Sequence, residues 1–165
     1  MRKKAGKPVE FGNTLLLGEN PQGLILDWEF FKETAPADAR LLRASVERMR
    51  SVFGPVLKEL GADRGFDSQA NQEVLQDLDI YNGVCPRSPA ELKKRCRSWK
   101  FKKLQCRRSQ TEGRVAILKN VFVGRPMRSK GYVNRALTVS WAVLTHNCWV
   151  LARMGLAAQA QALAA

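Results

Sequence analysis

Residues 56–68 read Val-Leu-Lys-Glu-Leu-Gly-Ala-Asp-Arg-Gly-Phe-Asp-Ser, and their order decides the fold class. Val56 to Ala62 is a strand-prone run, although Lys58 and Glu59 interrupt the apolar sequence that a buried central strand would carry. Asp63-Arg64-Gly65 then turns the chain, and either Asp67 or Ser68 can cap a helix running to about Leu78. A full capping box is absent, because Ala70 and Asn71 stand three positions on. Ile80 to Val84 is a second short strand, closed by Cys85-Pro86. Strand, acid, glycine turn, helix and strand is the order of an α/β unit. In open α/β sheets chemistry gathers at the carboxyl ends of strands, and Asp63 stands at one.

Upstream, Phe11 to Leu17 and Leu24 to Phe31 are β-prone runs separated by the turn formers of residues 18–23, which predicts an antiparallel hairpin. Asp38 can cap the next helix, in which Leu42, Val46, Met49 and Phe53 recur at helical spacing and Gly54-Pro55 ends the pattern. Downstream, residues 86–104 are basic with Trp99 and Phe101 interleaved, a connection or a nucleic-acid-facing segment in which helix and loop are hard to separate. From Arg107 a helix is expected despite Gly113. Val115, Leu118 and Phe122 form its buried stripe, while Arg108, Glu112 and Lys119 share another face. A long apolar helix follows over about 133–154. Residues 1–155 make one domain, and the Ala/Gln-rich tail 156–165 has helical propensity without a packing signal.

The 165 residues are enough for one packed core, and 45% apolar with 26% charged residues is ordinary globular composition. The charge is not evenly spread. Residues 1–91 hold 12 basic and 14 acidic side chains, whereas residues 92–165 hold 16 basic ones and a single acid, Glu112. Such a block calls for a polyanion, with nucleic acid the first expectation. The basic N-terminus lacks a signal peptide's apolar core, so a cytoplasmic chain is expected. The apolar stretch 136–152 is interrupted by Thr145, His146 and Asn147 and reads as a buried helix, so no membrane partner is expected. Cys85, Cys96, Cys106 and Cys148 match neither zinc spacing nor a disulfide framework and read as free thiols.

Two ordered motifs carry a family likeness. The Asp63-Arg64-Gly65-Phe66 turn, followed by Arg108, three residues, Glu112, six residues and Lys119, resembles the second acidic motif and the R-x3-E-x6-K signature of bacterial insertion-sequence DDE transposases. The residue 6–12 lead, the Pro36-Ala37-Asp38 helix start and His146-Asn147 in the last helix share the likeness, which spans nearly the whole chain. The resemblance implies an α/β fold with a ribonuclease-H-like mixed sheet flanked by helices. It also implies cleavage and strand transfer of DNA by two-metal phosphoryl transfer with Mg²⁺ or Mn²⁺. Asp63 and Glu112 would then be metal ligands, and Arg108 and Lys119 would contact phosphates near the cut. The family's tyrosine three positions before the arginine is here Gln105. The first strand and its catalytic aspartate have no counterpart after Met1, so metal should bind weakly and the chain alone should be nearly inactive. Asp27, in the second hairpin strand, is the acid that could deputise. An exposed sheet edge where that strand belongs would make the chain poorly soluble.

Simpler readings stand beside these. An aspartate near glycine is commonly a turn residue, and a glutamate among arginines is commonly an ion-pair partner. Lys93, Lys94, Arg95, Lys100, Lys102, Lys103, Arg107 and Arg114 could form a solvated face, but their single sign favours phosphate contact. The DNA-binding set expected is Lys100, Lys102, Lys103, Arg107, Arg108, Arg114 and Lys119. Trp99 and Phe101 are expected in the core or its cover rather than as base-stacking platforms, and His146 as a partly buried helix residue. The competing functions are a non-enzymatic DNA-binding remnant that associates with itself or inhibits an intact transposase, and a basic structural protein of an RNA particle.

Overall fold

The computed structural model describes the backbone of residues 2–4, 7–10, 13–124 and 127–163, and side chains within 13–124 and 127–163. The architecture is mixed α/β with helix predominating, and among the described residues the strands pair in twos. Two-stranded sheets are marginal alone, so their stability here depends on the helices that cover them.

Strands β1 (Arg2–Lys4) and β2 (Lys7–Glu10) pair antiparallel. The expected second hairpin is β3 (Leu15–Glu19) with β4 (Ile25–Phe30), Leu17 opposite Trp28. Phe11 and Gly12, given to this hairpin from the sequence, lie outside the described residues. Asn13 ties off the open end, its Nδ2 donating to the carbonyls of Phe31 and Lys32 at 2.8 and 3.0 Å. In the turn, Asn20 Oδ1 accepts from the amides of Gln22 and Leu24, and Gly23 takes a positive φ of 93°.

Helix α1 (Asp38–Phe53) buries Leu41, Leu42 and Val46. Asp38 is its first helical residue and not its cap. Ala37 holds the extended cap backbone, and the Asp38 carboxylate lies against Gly65, where a Cβ would collide with it. Phe53, assigned to the buried stripe, is exposed in the last turn before Gly54. The α/β unit forms, but its first strand is shorter than the expected 56–62, with Val56 in a turn after Pro55: β5 (Glu59–Ala62) runs parallel to β6 (Tyr81–Val84), with Gly61 opposite Gly83 and α2 (Gln69–Asp77) as the crossover. Ser68 is the α2 cap, its Oγ accepting from the Asn71 amide at 3.2 Å. The basic stretch resolves into two helices, α3 (Pro89–Arg95) and α4 (Trp99–Ile117), capped by Ser88 and Ser98. Thus α4 begins eight residues before the expected Arg107, at a serine cap that the run of bases obscures.

A π-helical turn, Leu118–Val123, continues α4, and α5 (Tyr132–Leu163) closes the chain. The wider turn lets the neighbours Phe122 and Val123 both pack on the core of Ile25, Leu118, Val139, Ala142 and Val143. Buried His146 meets the Phe122 ring edge-on at 5.4 Å. Asn147 pairs with the backbone of β4, accepting from the Ile25 amide and donating to the Ile25 carbonyl, both at 2.9 Å. From Leu151 to Leu163 every α5 residue is exposed, so the tail is helical but unpacked. Among the described residues no helix is long and apolar enough to cross a membrane. All four cysteines are free.

A second core gathers Leu42, Val46, Leu75, Ile80 and Val84 between α1, α2 and β6. The hairpin is tied to α1 by Asp27, whose side chain is 5% exposed. Asp27 accepts from Ser45 Oγ at 2.6 Å and from Arg48 Nε and Nη2 at 2.7 and 2.9 Å, while Arg48 Nη1 reaches Glu29 at 2.8 Å. These bonds, led by the one to Asp27, hold the Arg48 guanidinium above its ordinary pKa, so it stays charged at any working pH. Replacing Asp27 by alanine strands a half-buried arginine and a serine. Asp27→Ala is therefore expected to lower unfolding free energy by about 3 kcal/mol in urea titrations, whereas Glu47→Ala, removing an exposed pair with Arg43, should change it by less than about 0.5 kcal/mol.

Candidate nucleic-acid interface

Helix α4 runs along β5 in the same direction. At the strand's start, Lys100 Nζ and Arg107 Nη1 stand 3.7 and 3.9 Å from the Glu59 carboxylate, and just past its end Arg108 Nη1 is 3.1 Å from Asp63 Oδ1. Between them the helix comes close because the strands offer no side chain there. Leu104 rests on Gly61 and Gly83, and Gln105 Nε2 donates to the Gly83 carbonyl at 2.7 Å. Phe101 and Leu104 are buried by this packing.

Further along, α4 reaches the hairpin. Thr111 Oγ1 donates to Glu19 Oε1 at 2.7 Å, and Arg114 Nη1 lies 3.4 Å from the same oxygen with its guanidinium against Gly23. Glu19 and Glu59 were not singled out from the sequence. No local signal marks them, since their partners are 41 to 95 positions away.

The structure thus brings Asp63 and Arg108 into contact at the carboxyl end of β5. Asp63 is 58% exposed, and Glu112, one helical turn beyond Arg108 on the same face, is exposed with no hydrogen bond or ion pair among the described residues. Lys119 lies exposed at the start of the π turn, beyond Glu112. Arg108 Nε is buried with no hydrogen-bond partner among the described residues. One of the two carboxylates on this surface already holds a guanidinium, and among the described residues no three His, Cys, Asp or Glu side chains converge. Asp27 cannot deputise, because it is buried under α1 and bonded to Arg48 and Ser45.

Comparison with protein-family models, curated proteins and solved structures finds no match.

The expected DNA-binding set divides in two. Lys100, Arg107, Arg108 and Arg114 are paired to Glu59, Asp63 and Glu19, whereas Lys102, Lys103 and Lys119 are exposed and without ion pairs among the described residues. Phe101 is core, as expected. Trp99 is not: it begins α4 on the solvent side, 73% exposed.

The close approach of α4 makes Gly83 a sensitive position, since a Cβ there would stand 2.7 Å from the Leu60 carbonyl oxygen and would collide with the Leu104 side chain. Gly83→Ala should destabilise the fold by about 2 kcal/mol. Asp63→Asn should cost less than about 1 kcal/mol, because its ion pair is largely exposed. Chemical denaturation of the two variants side by side checks both values.

Proposed function

We propose that this chain is a DNA-binding protein built on the plan of insertion-sequence DDE transposase catalytic domains, and that on its own it holds DNA without cutting it. The observation that carries the reading is the 3.1 Å pair between Arg108 and Asp63. It draws the helix bearing the arginine, glutamate and lysine signature onto the carboxyl tip of β5, with Glu112 one turn away. The order of hairpin, helix, parallel strand, helix, parallel strand and helix supports a ribonuclease-H-like plan.

Phosphate recognition is the chemistry these residues can perform. Lys102, Lys103 and Lys119 offer exposed ammonium groups to phosphates. Two-metal cleavage asks for more carboxylate than Asp63 and Glu112 provide while Arg108 occupies one of them. A third carboxylate from another polypeptide, such as an intact transposase, would complete the set and would allow Mg²⁺ to replace the guanidinium.

Fluorescence anisotropy of a labelled duplex with the purified chain tests the proposal. Affinity should fall steeply with salt, and Lys102→Ala with Lys103→Ala should reduce the slope of log K against log salt by roughly 2, since each phosphate neutralised by a lysine contributes about 0.9. Glu112→Gln should bind at least as tightly as the parent, and supercoiled plasmid should stay intact in Mg²⁺. Absence of duplex binding at about 50 mM salt would overturn the DNA reading. Mg²⁺-dependent nicking that disappears in Glu112→Gln would overturn the inactivity and restore the pair as catalytic.

A further inference from the structure

Trp99 is the most exposed tryptophan of the basic half, ahead of Trp141 on α5 at 65%. An indole is among the most valuable groups a fold can bury, yet this one projects from the first turn of α4 with 73% of its surface exposed. Its setting is cationic. Lys103 Nζ stands 5.2 Å from the ring centroid one turn on, and Lys93, Lys94, Arg97 and Lys102 are exposed on α3, the connection and α4. No acid occurs between Glu91 and Glu112, and the nearest strand acid, Glu59, is taken by Lys100 and Arg107.

An apolar protein surface is a poor occupant for such a place, since covering the indole would strip water from several ammonium groups and return nothing to them. A ligand that presents an aromatic plane and negative charge together satisfies both. A nucleotide does so, but in a duplex the base faces are already stacked, leaving only the edges and the backbone. An unpaired nucleotide exposes the face, and aromatic residues within basic grooves hold single strands by stacking.

We infer that the α3–α4 corner is a binding site for single-stranded DNA, with Trp99 stacking one unpaired base and Lys93, Lys94, Arg97 and Lys102 holding the flanking phosphates. Lys103 backs the indole by a cation–π contact, so the ring is held from one face while the base takes the other. This inference rests on the DNA-binding reading above and adds the strand form that the surface selects. It also separates two groups of bases: those paired along β5 position the helix, and those around Trp99 face the ligand.

The test uses the whole chain, an unstructured oligothymidine of about 20 nucleotides, a duplex of equal length and an oligouridine, each labelled for anisotropy. Trp99→Ala should weaken oligothymidine binding by about tenfold, within the range that removal of one stacked base produces, and leave duplex binding within about twofold. Trp99→Phe should recover most of that affinity. Because Trp99 is exposed, the alanine variant should keep the parent's circular dichroism and melting temperature. Equal weakening of both DNAs, or of neither, would overturn the stacking site while leaving salt-dependent duplex binding, and with it the proposed function, in place. Binding of oligouridine more than about tenfold tighter than oligothymidine would overturn the assignment to DNA. Failure of the parent to bind either DNA would overturn both proposals.

Discussion

The seating of α4 on Gly61 and Gly83 is the contact on which the rest of the molecule depends. The hairpin and the parallel pair are separate two-stranded sheets, and neither is large enough to stand alone. One helix spans both. Leu104 and Phe101 anchor it at the parallel pair, and Leu118 at the hairpin core, through buried apolar contact. The ion pairs of Lys100 and Arg108 are too exposed to supply much energy, whereas that of Arg114 with Glu19 is largely shielded. What they supply is position, because Glu59, Asp63 and Glu19 each meet a base on the helix.

The charge asymmetry of the chain looks different once these pairs are known. A basic half following a nearly neutral half suggests a broad patch open to a polyanion, but part of that charge answers acids of the first half. Lys100, Arg107, Arg108 and Arg114 act within the molecule. The surplus that faces solvent includes Lys93, Lys94, Arg97, Lys102 and Lys103 on α3, the connection and the first turn of α4, with Lys119, Arg128, Lys130 and Arg153 further along. Asp27 follows the same logic on a smaller scale, as its carboxylate is used to fasten α1 to the hairpin.

The α/β unit was legible because its signals are local: a strand-prone run, a glycine turn, a serine cap and a second run. The hairpin was legible for the same reason. Asp38 was misplaced by one position, since the cap backbone falls on Ala37, whose side chain carries no capping signal. The start of α4 was missed because Ser98 lies within a run of bases that blurs helical periodicity. The family likeness implies a metal ligand at Asp63 and a phosphate contact at Arg108, not an ion pair between them, and the contact of Arg114 with Glu19 spans 95 positions and has no sequence signature. Trp99 was misjudged because composition makes tryptophan a core residue by default. Which side of α4 meets the strands is decided by Leu104 finding two glycines, a tertiary match that neither segment announces alone.

Asn147 gives the hairpin a direction of growth. Its amide bonds both polar groups of Ile25, a role that a neighbouring strand would otherwise fill. An incoming strand at this end of β4 must first displace that amide, and Asn147 lies on α5 between His146 and Val150, both buried. Extending the sheet there would loosen the packing of α5 on the first core. Strand addition at β4 is thereby coupled to release of the last helix, so the two events would behave as one cooperative transition.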